Sequence, residues 1–169
     1  MRKIFFNDQF VRLIKSKRGK ALDLACGKGN FSMFLIKNHW KVDSVDLQNK
    51  NKLISFKYCS YKKINLEKIT SSQFQYILGF KKYDLILLLR FLHRPLFKFI
   101  PDSMKKGGLL FCETFMIENG VGKLNTKKYM LRKNELLNFK DRKLNLIHFY
   151  QGKDNQRDNL IQSAVFKKL

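Results

Sequence analysis

The apolar positions of this chain change period several times, and each change marks an element. Between Asp8 and Lys17, Phe10, Val11, Leu13 and Ile14 share one helical face, and Asn7 or Asp8 supplies a cap, so a helix is expected there. Leu22 and Leu24, flanked by Ala21 and Ala25, read as a short buried strand. Phe31, Phe34, Leu35 and Trp40 return to helical spacing, and Lys41 to Asp46 reads as the next strand. Ile54 to Lys57 and Ser60 to Ile64 compete for the third strand. Ile69 to Phe80 predicts a helix with Phe74, Ile77 and Leu78 facing inward. Tyr83 to Leu89 is a continuous apolar run, the mark of a central parallel strand covered on both faces.

The second half continues the alternation and then breaks it. Pro95 falls near a helix start, where its missing N–H costs nothing, and Leu96, Phe97, Phe99 and Ile100 form the apolar face. Gly107-Gly108 turns into a strand from Leu109 to Phe115. Glu118 to Lys133 has no clear periodicity; a substrate lid and a plain surface loop are equal readings of it. Asn134 to Phe139 predicts a short helix. Leu144 to Tyr150 and Leu160 to Phe166 are two strands joined by the polar turn Gln151 to Asn159, an antiparallel hairpin. The pattern predicts one α/β domain over residues 1–169, with neither internal repeat nor linker.

The chemistry concentrates in the first strand–helix turn. Gly27 and Gly29 allow backbone angles and a close approach that a Cβ would block. The helix that opens there presents free N–H groups to a polar ligand. Asp46 ends the second strand, where a carboxylate accepts hydrogen bonds from both hydroxyls of a ribose. A dinucleotide fingerprint wants a third glycine, and Ser32 stands in its place. Asp23 beside the turn suits a cofactor carrying a cationic amine and a sulfonium, and suits a pyrophosphate poorly. A glycine turn without a ligand is the bland alternative.

Leu22-Asp23-Leu24-Ala25-Cys26-Gly27-Lys28-Gly29 resembles motif I of the class I S-adenosylmethionine-dependent methyltransferases, and Val45-Asp46-Leu47 resembles their second motif. Tyr83 to Leu89 is similar to their fourth strand, and Lys106-Gly107-Gly108-Leu109-Leu110-Phe111 to the turn into the fifth. Phe91-Leu92-His93-Arg94-Pro95-Leu96 and Glu113-Thr114-Phe115 resemble the small bacterial branch that includes tellurite-resistance-type enzymes. Ala25 departs from the commoner glycine of motif I. The resemblance implies a Rossmann-like three-layer sandwich with a mostly parallel seven-stranded sheet, order 3-2-1-4-5-7-6, closed by a C-terminal antiparallel hairpin. It implies S-adenosylmethionine as cofactor, with S-adenosylhomocysteine as product. The implied cofactor residues are Asp23, Ala25, Gly27, Gly29, Asp46, Leu47, Asn65, Leu66, Leu89 and Arg90. For the adenine contact Asn65 competes with a register that would use Cys59-Ser60. Arg90, His93 and Glu113 fall where the family places its acceptor pocket. His93 is a candidate base, with a structural helix start as its alternative; Glu113 is a candidate catalytic group or a partner for Arg90.

Methyl transfer from a sulfonium is an in-line displacement whose main demand is alignment, so a missing catalytic motif does not argue against it. The motifs of base-amino, cytosine C5 and ribose methyltransferases are absent, and the acceptor stays open between a small molecule and RNA. A net charge of +22 changes the picture only for partners. If RNA is the acceptor, the lysines should converge on a mouth formed by Arg90, Arg94 and the 118–133 stretch. If the charge is compositional, they should scatter over all faces. The alternatives are a non-catalytic RNA-binding module on the same fold, or a nicotinamide-dinucleotide binder, which would continue with parallel crossovers instead of a hairpin. No run is apolar enough to span a bilayer, no signal pattern opens the chain, and the three cysteines lack metal spacing. The expectation is a cytoplasmic, metal-free monomer.

Overall fold

The computed structural model describes residues 7–48, 57–117, 124–139, 141–154 and 159–169. Helix α1 (Asn7–Ser16) leads into β1 (Lys20–Leu24), α2 (Asn30–Lys37), β2 (Lys41–Asp46) and β3 (Cys59–Lys63). Helix α3 (Ser71–Leu78), β4 (Tyr83–Leu89), a 3-10 helix (Arg94–Lys98) and the single turn α4 (Ile100–Ser103) follow. Strand β5 (Met104–Phe115), a second 3-10 helix (Leu124–Tyr129), β6 (Leu144–Lys153) and β7 (Leu160–Lys168) complete the order. The strands form one seven-stranded sheet in the order β3-β2-β1-β4-β5-β7-β6. β3, β2, β1, β4 and β5 run parallel, and β7 lies antiparallel between β5 and β6. Both the predicted order and the closing hairpin are present.

The β4 run explains itself by its two faces. Leu85, Leu87 and Leu89 pack with Phe10, Ile14, Leu35, Trp40 and Phe111 on one side. Ile86 and Leu88 pack with Leu22, Leu24, Phe74, Phe97 and Phe166 on the other. Alternation along a strand buried on both faces gives a continuous apolar sequence. Phe10 carries α1 onto the first face, against Phe111 at 5.1 Å between ring centroids and Phe34 at 6.2 Å. Trp40 Nε1 donates to the Ile14 carbonyl at 3.1 Å, so its burial leaves no unpaired donor.

Several boundaries differ from the sequence expectation, each for a local reason. The helix expected over Ile69 to Phe80 is shorter because Thr70 caps it: Thr70 Oγ1 accepts from Gln73 N at 3.3 Å, and Gln73 Oε1 accepts from Thr70 N at 3.0 Å. Phe74 and Leu78 are buried as expected; the Ile77 side chain lies outside the described residues. The third strand is the Ser60 alternative, while Lys57 lies in a turn and 54–56 fall outside the described residues. The Pro95 helix is a 3-10 segment, followed by the separate turn α4. β5 starts at Met104, so Gly107-Gly108 is an irregularity within the strand. A Cβ on Gly108 would lie 2.9 Å from the Lys105 carbonyl oxygen and 3.0 Å from that of Tyr83, so only glycine fits there. The short helix expected at Asn134 to Phe139 is a run of turns. Its N–H groups bind side chains of the hairpin: Gln151 Oε1 accepts from Asn134 N and Gln162 Oε1 from Leu136 N.

Candidate active site

The turn after β1 is held in a shape that few sequences adopt. Ala25, Gly27 and Gly29 have φ of 53°, 57° and 74°. For Ala25 the left-handed conformation costs roughly 1 kcal/mol, a strain of the kind stored at functional sites. The turn is tied to β2: Cys26 N donates to the Val45 carbonyl at 3.0 Å, and Gly27 N to Asp46 Oδ2 at 2.8 Å. Nothing lies within 4 Å of a Cβ built on Gly27, which leaves its backbone open to an approaching ligand. Asp46 Oδ1 accepts from Gln48 N at 3.0 Å. Both carboxylate oxygens are thus aimed by the backbone, and each retains a lone pair for a ligand.

Two cavities meet at Ala25. One, of 420 Å³, is lined by Asp23, Cys26, Gly27, Lys28, Asn30, Phe31, Leu89 and Arg90 together with Ala25. The other, of 300 Å³, is lined by Asp46, Leu47, Gln48, Ile64, Asn65, Leu66, Glu67 and Phe91 together with Ala25. Nine of the ten cofactor residues expected from sequence line one cavity or the other, and the tenth, Gly29, is the N-cap of α2 beneath them. Cys59 and Ser60 open β3 at the far end of the strand, whereas Asn65 follows its carboxyl end beside the second cavity. Asn65 Oδ1 accepts from Glu67 N at 3.0 Å, which orients the amide. Sequence reasoning missed Lys28, Asn30, Phe31, Gln48, Ile64, Glu67 and Phe91 as lining residues; adjacency to the two motifs was the available signal for most of them.

Asp23 is buried beneath the larger cavity. Ser32 Oγ donates to Asp23 Oδ2 at 2.5 Å, and Ser44 Oγ donates to Ser32 Oγ at 2.8 Å. The serine at the third-glycine position therefore holds the acid. Burial pushes the Asp23 carboxyl up to about 7, the Ser32 hydrogen bond opposes this, and the nearby Asp46 charge adds to it. Burial likewise raises the Cys26 thiol, and Asp23 and Asp46 raise it further, so Cys26 is a poor nucleophile that fills space in the turn.

Glu113 sits wholly inside the sheet. Its Oε1 lies 2.9 Å from Arg90 Nη2, and Ser163 Oγ donates to its Oε2 at 2.5 Å. Arg90 adopts φ of 59°, donates its backbone N–H to the Glu113 carbonyl at 2.6 Å, and lies 4.6 Å above the Phe115 ring centroid. The geometry makes Glu113 a brace for Arg90, which itself faces the cavity. His93 precedes the 3-10 helix, makes no side-chain capping bond and lines neither cavity.

Arg94, next in sequence, ties down the segment after β5. It grips Glu135 through Nε at 2.6 Å and Nη2 at 2.9 Å, and donates to the carbonyls of Lys128 at 2.8 Å and Met130 at 3.0 Å. The segment also reaches the second cavity, where Tyr129 Oη donates to Glu67 Oε2 at 3.4 Å. Residues 118–123, the first part of the expected lid, lie outside the described residues. Arg94→Ala removes four hydrogen bonds worth about 1 kcal/mol each or more. Amide exchange over residues 127–135 is expected to speed up by at least about tenfold while β1, β4 and β5 keep their protection. Equal exchange in both proteins would show that the segment is held by something else.

The tellurite resistance protein TehB family model matches residues 8–154. This chain belongs to that family. It is a class I S-adenosylmethionine-dependent methyltransferase, and S-adenosylmethionine is its cofactor. Among curated protein sequences none matches it. The solved structures it is similar to share the fold at low identity. The 1,6-didemethyltoxoflavin-N1-methyltransferase of Burkholderia thailandensis, solved with 1,6-didemethyltoxoflavin and S-adenosylhomocysteine, has a TM-score of 0.66 at 14% identity, over 99% of this chain and 81% of its own. The N-methyltransferase NodS of Bradyrhizobium japonicum, solved with S-adenosylhomocysteine, has a TM-score of 0.67 at 12% identity, over 99% and 89%. A methyltransferase of Methanosarcina mazei has a TM-score of 0.70 at 14% identity, over 95% and 97%. Among the described residues of this methyltransferase no helix is long and apolar enough to cross a membrane, and no group of three His, Cys, Asp or Glu could hold a metal.

Proposed function

We propose that this methyltransferase acts on a small molecule that enters above Leu89 and Arg90. The observation that carries the reading is the pair of cavities joined at Ala25, one with Asp23 at its base and the other with Asp46 at its rim. In this reading Asp46 would hold the ribose hydroxyls, and Leu47, Leu66 and Asn65, which line the same cavity, would hold the adenine. Asp23 supplies the negative charge that the methionine ammonium and the sulfonium require. Gly27, Gly29 and the first N–H groups of α2 approach the methionine carboxylate.

Bound there, S-adenosylmethionine would supply an electrophilic methyl carbon on sulfonium sulfur, with S-adenosylhomocysteine as the leaving group of an in-line displacement. An amine acceptor attacks in its neutral form and sheds its proton afterwards. Arg90, fixed by Glu113, orients the acceptor. A small acceptor is favoured by the strap that Arg94 and Tyr129 hold over the mouth, and by the heterocyclic acceptor of the Burkholderia enzyme. Cys26, Cys59 and Cys112 are free thiols, in keeping with a reducing, cytoplasmic compartment.

The test is incubation with methyl-labelled S-adenosylmethionine and whole-cell extract, then separation into small-molecule, protein and RNA fractions. Label in the small-molecule fraction is expected. Label confined to RNA would overturn the acceptor, and label in no fraction would leave a binding protein on a methyltransferase fold.

A further inference from the structure

The sheet has a second charged end that methyl transfer does not use. Opposite the cavities, every strand carries a lysine within about three residues of a common level. Lys57 precedes β3, Lys41 opens β2, Lys20 opens β1 and Lys82 precedes β4. Lys106 lies in the irregular start of β5, Lys167 near the end of the antiparallel β7, and Lys143 just before β6. The register brings them to one end: Lys20 pairs with Lys41, Val42 N donates to the carbonyl of Tyr58 beside Lys57, Lys82 N donates to the Ser103 carbonyl, and Lys167 pairs with Leu109. Seven strands at about 4.8 Å make a row about 29 Å long.

The acids divide unevenly between the two ends. Asp23, Asp46, Glu67, Glu113 and Glu135 sit at the cofactor end. At the lysine end Asp43 is taken by Lys20 and Lys82, Asp84 by Lys105 and Asp102 by Lys143, and Asp141 accepts from Lys143 N at 2.7 Å. Lys41, Lys57, Lys106 and Lys167 are exposed and carry no ion pair among the described residues. Exposed cations also occur on the strap, at Lys127, Lys128, Arg132 and Lys133, so the charge neither converges on the mouth nor scatters evenly.

Two exposed aromatic rings stand in the row. Tyr58 follows Lys57, and Phe80 carries Lys81 Nζ at 5.2 Å from its ring centroid. Midway along, a cleft of 210 Å³ opens between Lys17, Arg18 and Lys106, floored by Trp40 and the Gly107-Gly108 backbone. Cations that track a backbone, with rings set among them for stacking, match single-stranded nucleic acid. A membrane surface would want the rings gathered on one apolar face.

We infer that this lysine row docks single-stranded RNA at the end of the sheet remote from the methyl-transfer site. The strands set the two ends about 20 Å apart, so RNA bound here is a partner or tether and its bases stay clear of the cofactor.

The test is fluorescence anisotropy with a labelled oligouridine of about 20 nucleotides, between about 50 and 200 mM salt. The variants are the intact chain carrying K41Q/K106Q/K167Q, and a strap control carrying K127Q/K128Q/K133Q. S-adenosylhomocysteine binding is measured on both. The row variant should bind the oligonucleotide about tenfold more weakly, with a log–log salt slope shallower by about 2, while S-adenosylhomocysteine affinity is unchanged. The strap variant should bind RNA nearly as the parent does. RNA affinity unchanged in the row variant, or lost equally in the strap variant, would overturn the inference. So would binding to phosphatidylglycerol vesicles without binding to the oligonucleotide. Because S-adenosylhomocysteine binding is read separately, failure of the row leaves the reading of the methyl-transfer site untouched.

Discussion

Asp46→Ala is expected to weaken S-adenosylhomocysteine binding by about 100- to 1,000-fold. A carboxylate that receives two ribose hydroxyls contributes two charge-assisted hydrogen bonds, together about 3–4 kcal/mol. The same side chain aims itself through Gly27 N at 2.8 Å and Gln48 N at 3.0 Å, so its loss also frees the turn. Both backbone donors lie near solvent and find water, and thermal stability should fall only slightly. Asp46→Asn keeps the shape and loses the charge, and should fall between the two. Calorimetric titration checks this; an unchanged affinity in Asp46→Ala would place the ribose elsewhere.

The other large effect is a pH dependence centred on Asp23. Its carboxyl titrates near 7 in the fold against an ordinary 3.8. A carboxyl with a raised folded pKa is favoured in its protonated form. The fold therefore loses stability as pH rises from about 4 to about 7, by roughly 4 kcal/mol, and stays level above that. Asp23→Asn removes the titration and keeps an acceptor for the Ser32 hydroxyl, which now donates to the acid at 2.5 Å. The ligand-free variant should melt higher than the parent at about pH 8, by several degrees, and the two should converge toward about pH 5. Cofactor binding should respond in the opposite sense. A cation beside Asp23 favours its ionised form, so parent affinity should rise from about pH 6 to 8, with a proton released. The variant should bind at least about tenfold more weakly and lose that rise. Melting curves that run parallel across the whole range would remove Asp23 from both roles.

The two effects separate residues that a motif treats alike. Asp23 and Asp46 both look like acids flanking a glycine turn, yet one is buried on a serine relay and the other is aimed outward by backbone donors. Glu113 makes a similar point. Its position in the fifth strand made it a candidate for chemistry, and its contacts with Arg90 and Ser163 make it a brace. His93 remains a half-buried residue outside both cavities, and Arg94 beside it is the residue with structural reach.

What the sequence determined by itself was local. The two-faced burial of Tyr83 to Leu89, the left-handed turn at Gly27 and Gly29, and the acid closing the second strand each follow from neighbouring residues, because backbone angles and side-chain period are short-range properties. These were enough for the fold class, the strand order that the family resemblance implied and nine of the ten expected cofactor positions in the cavity lining, while Lys28, Asn30, Phe31, Gln48, Ile64, Glu67 and Phe91 emerged only with the structure. Only the tertiary structure decided what depends on register. Ser32 meets Asp23 because α2 lies back on β1, Glu113 meets Ser163 because β7 inserts beside β5, and the turns of Asn134 to Phe139 are tied to the hairpin by Gln151 and Gln162, with Asn134 in the left-handed region at φ 57°. The lysine row belongs to the same class. Its members are far apart in sequence and ordinary one by one, and only the alignment of seven strand ends brings Lys41, Lys57, Lys106 and Lys167 to one end of the sheet, beside Lys20, Lys82 and Lys143 that Asp43 and Asp102 hold.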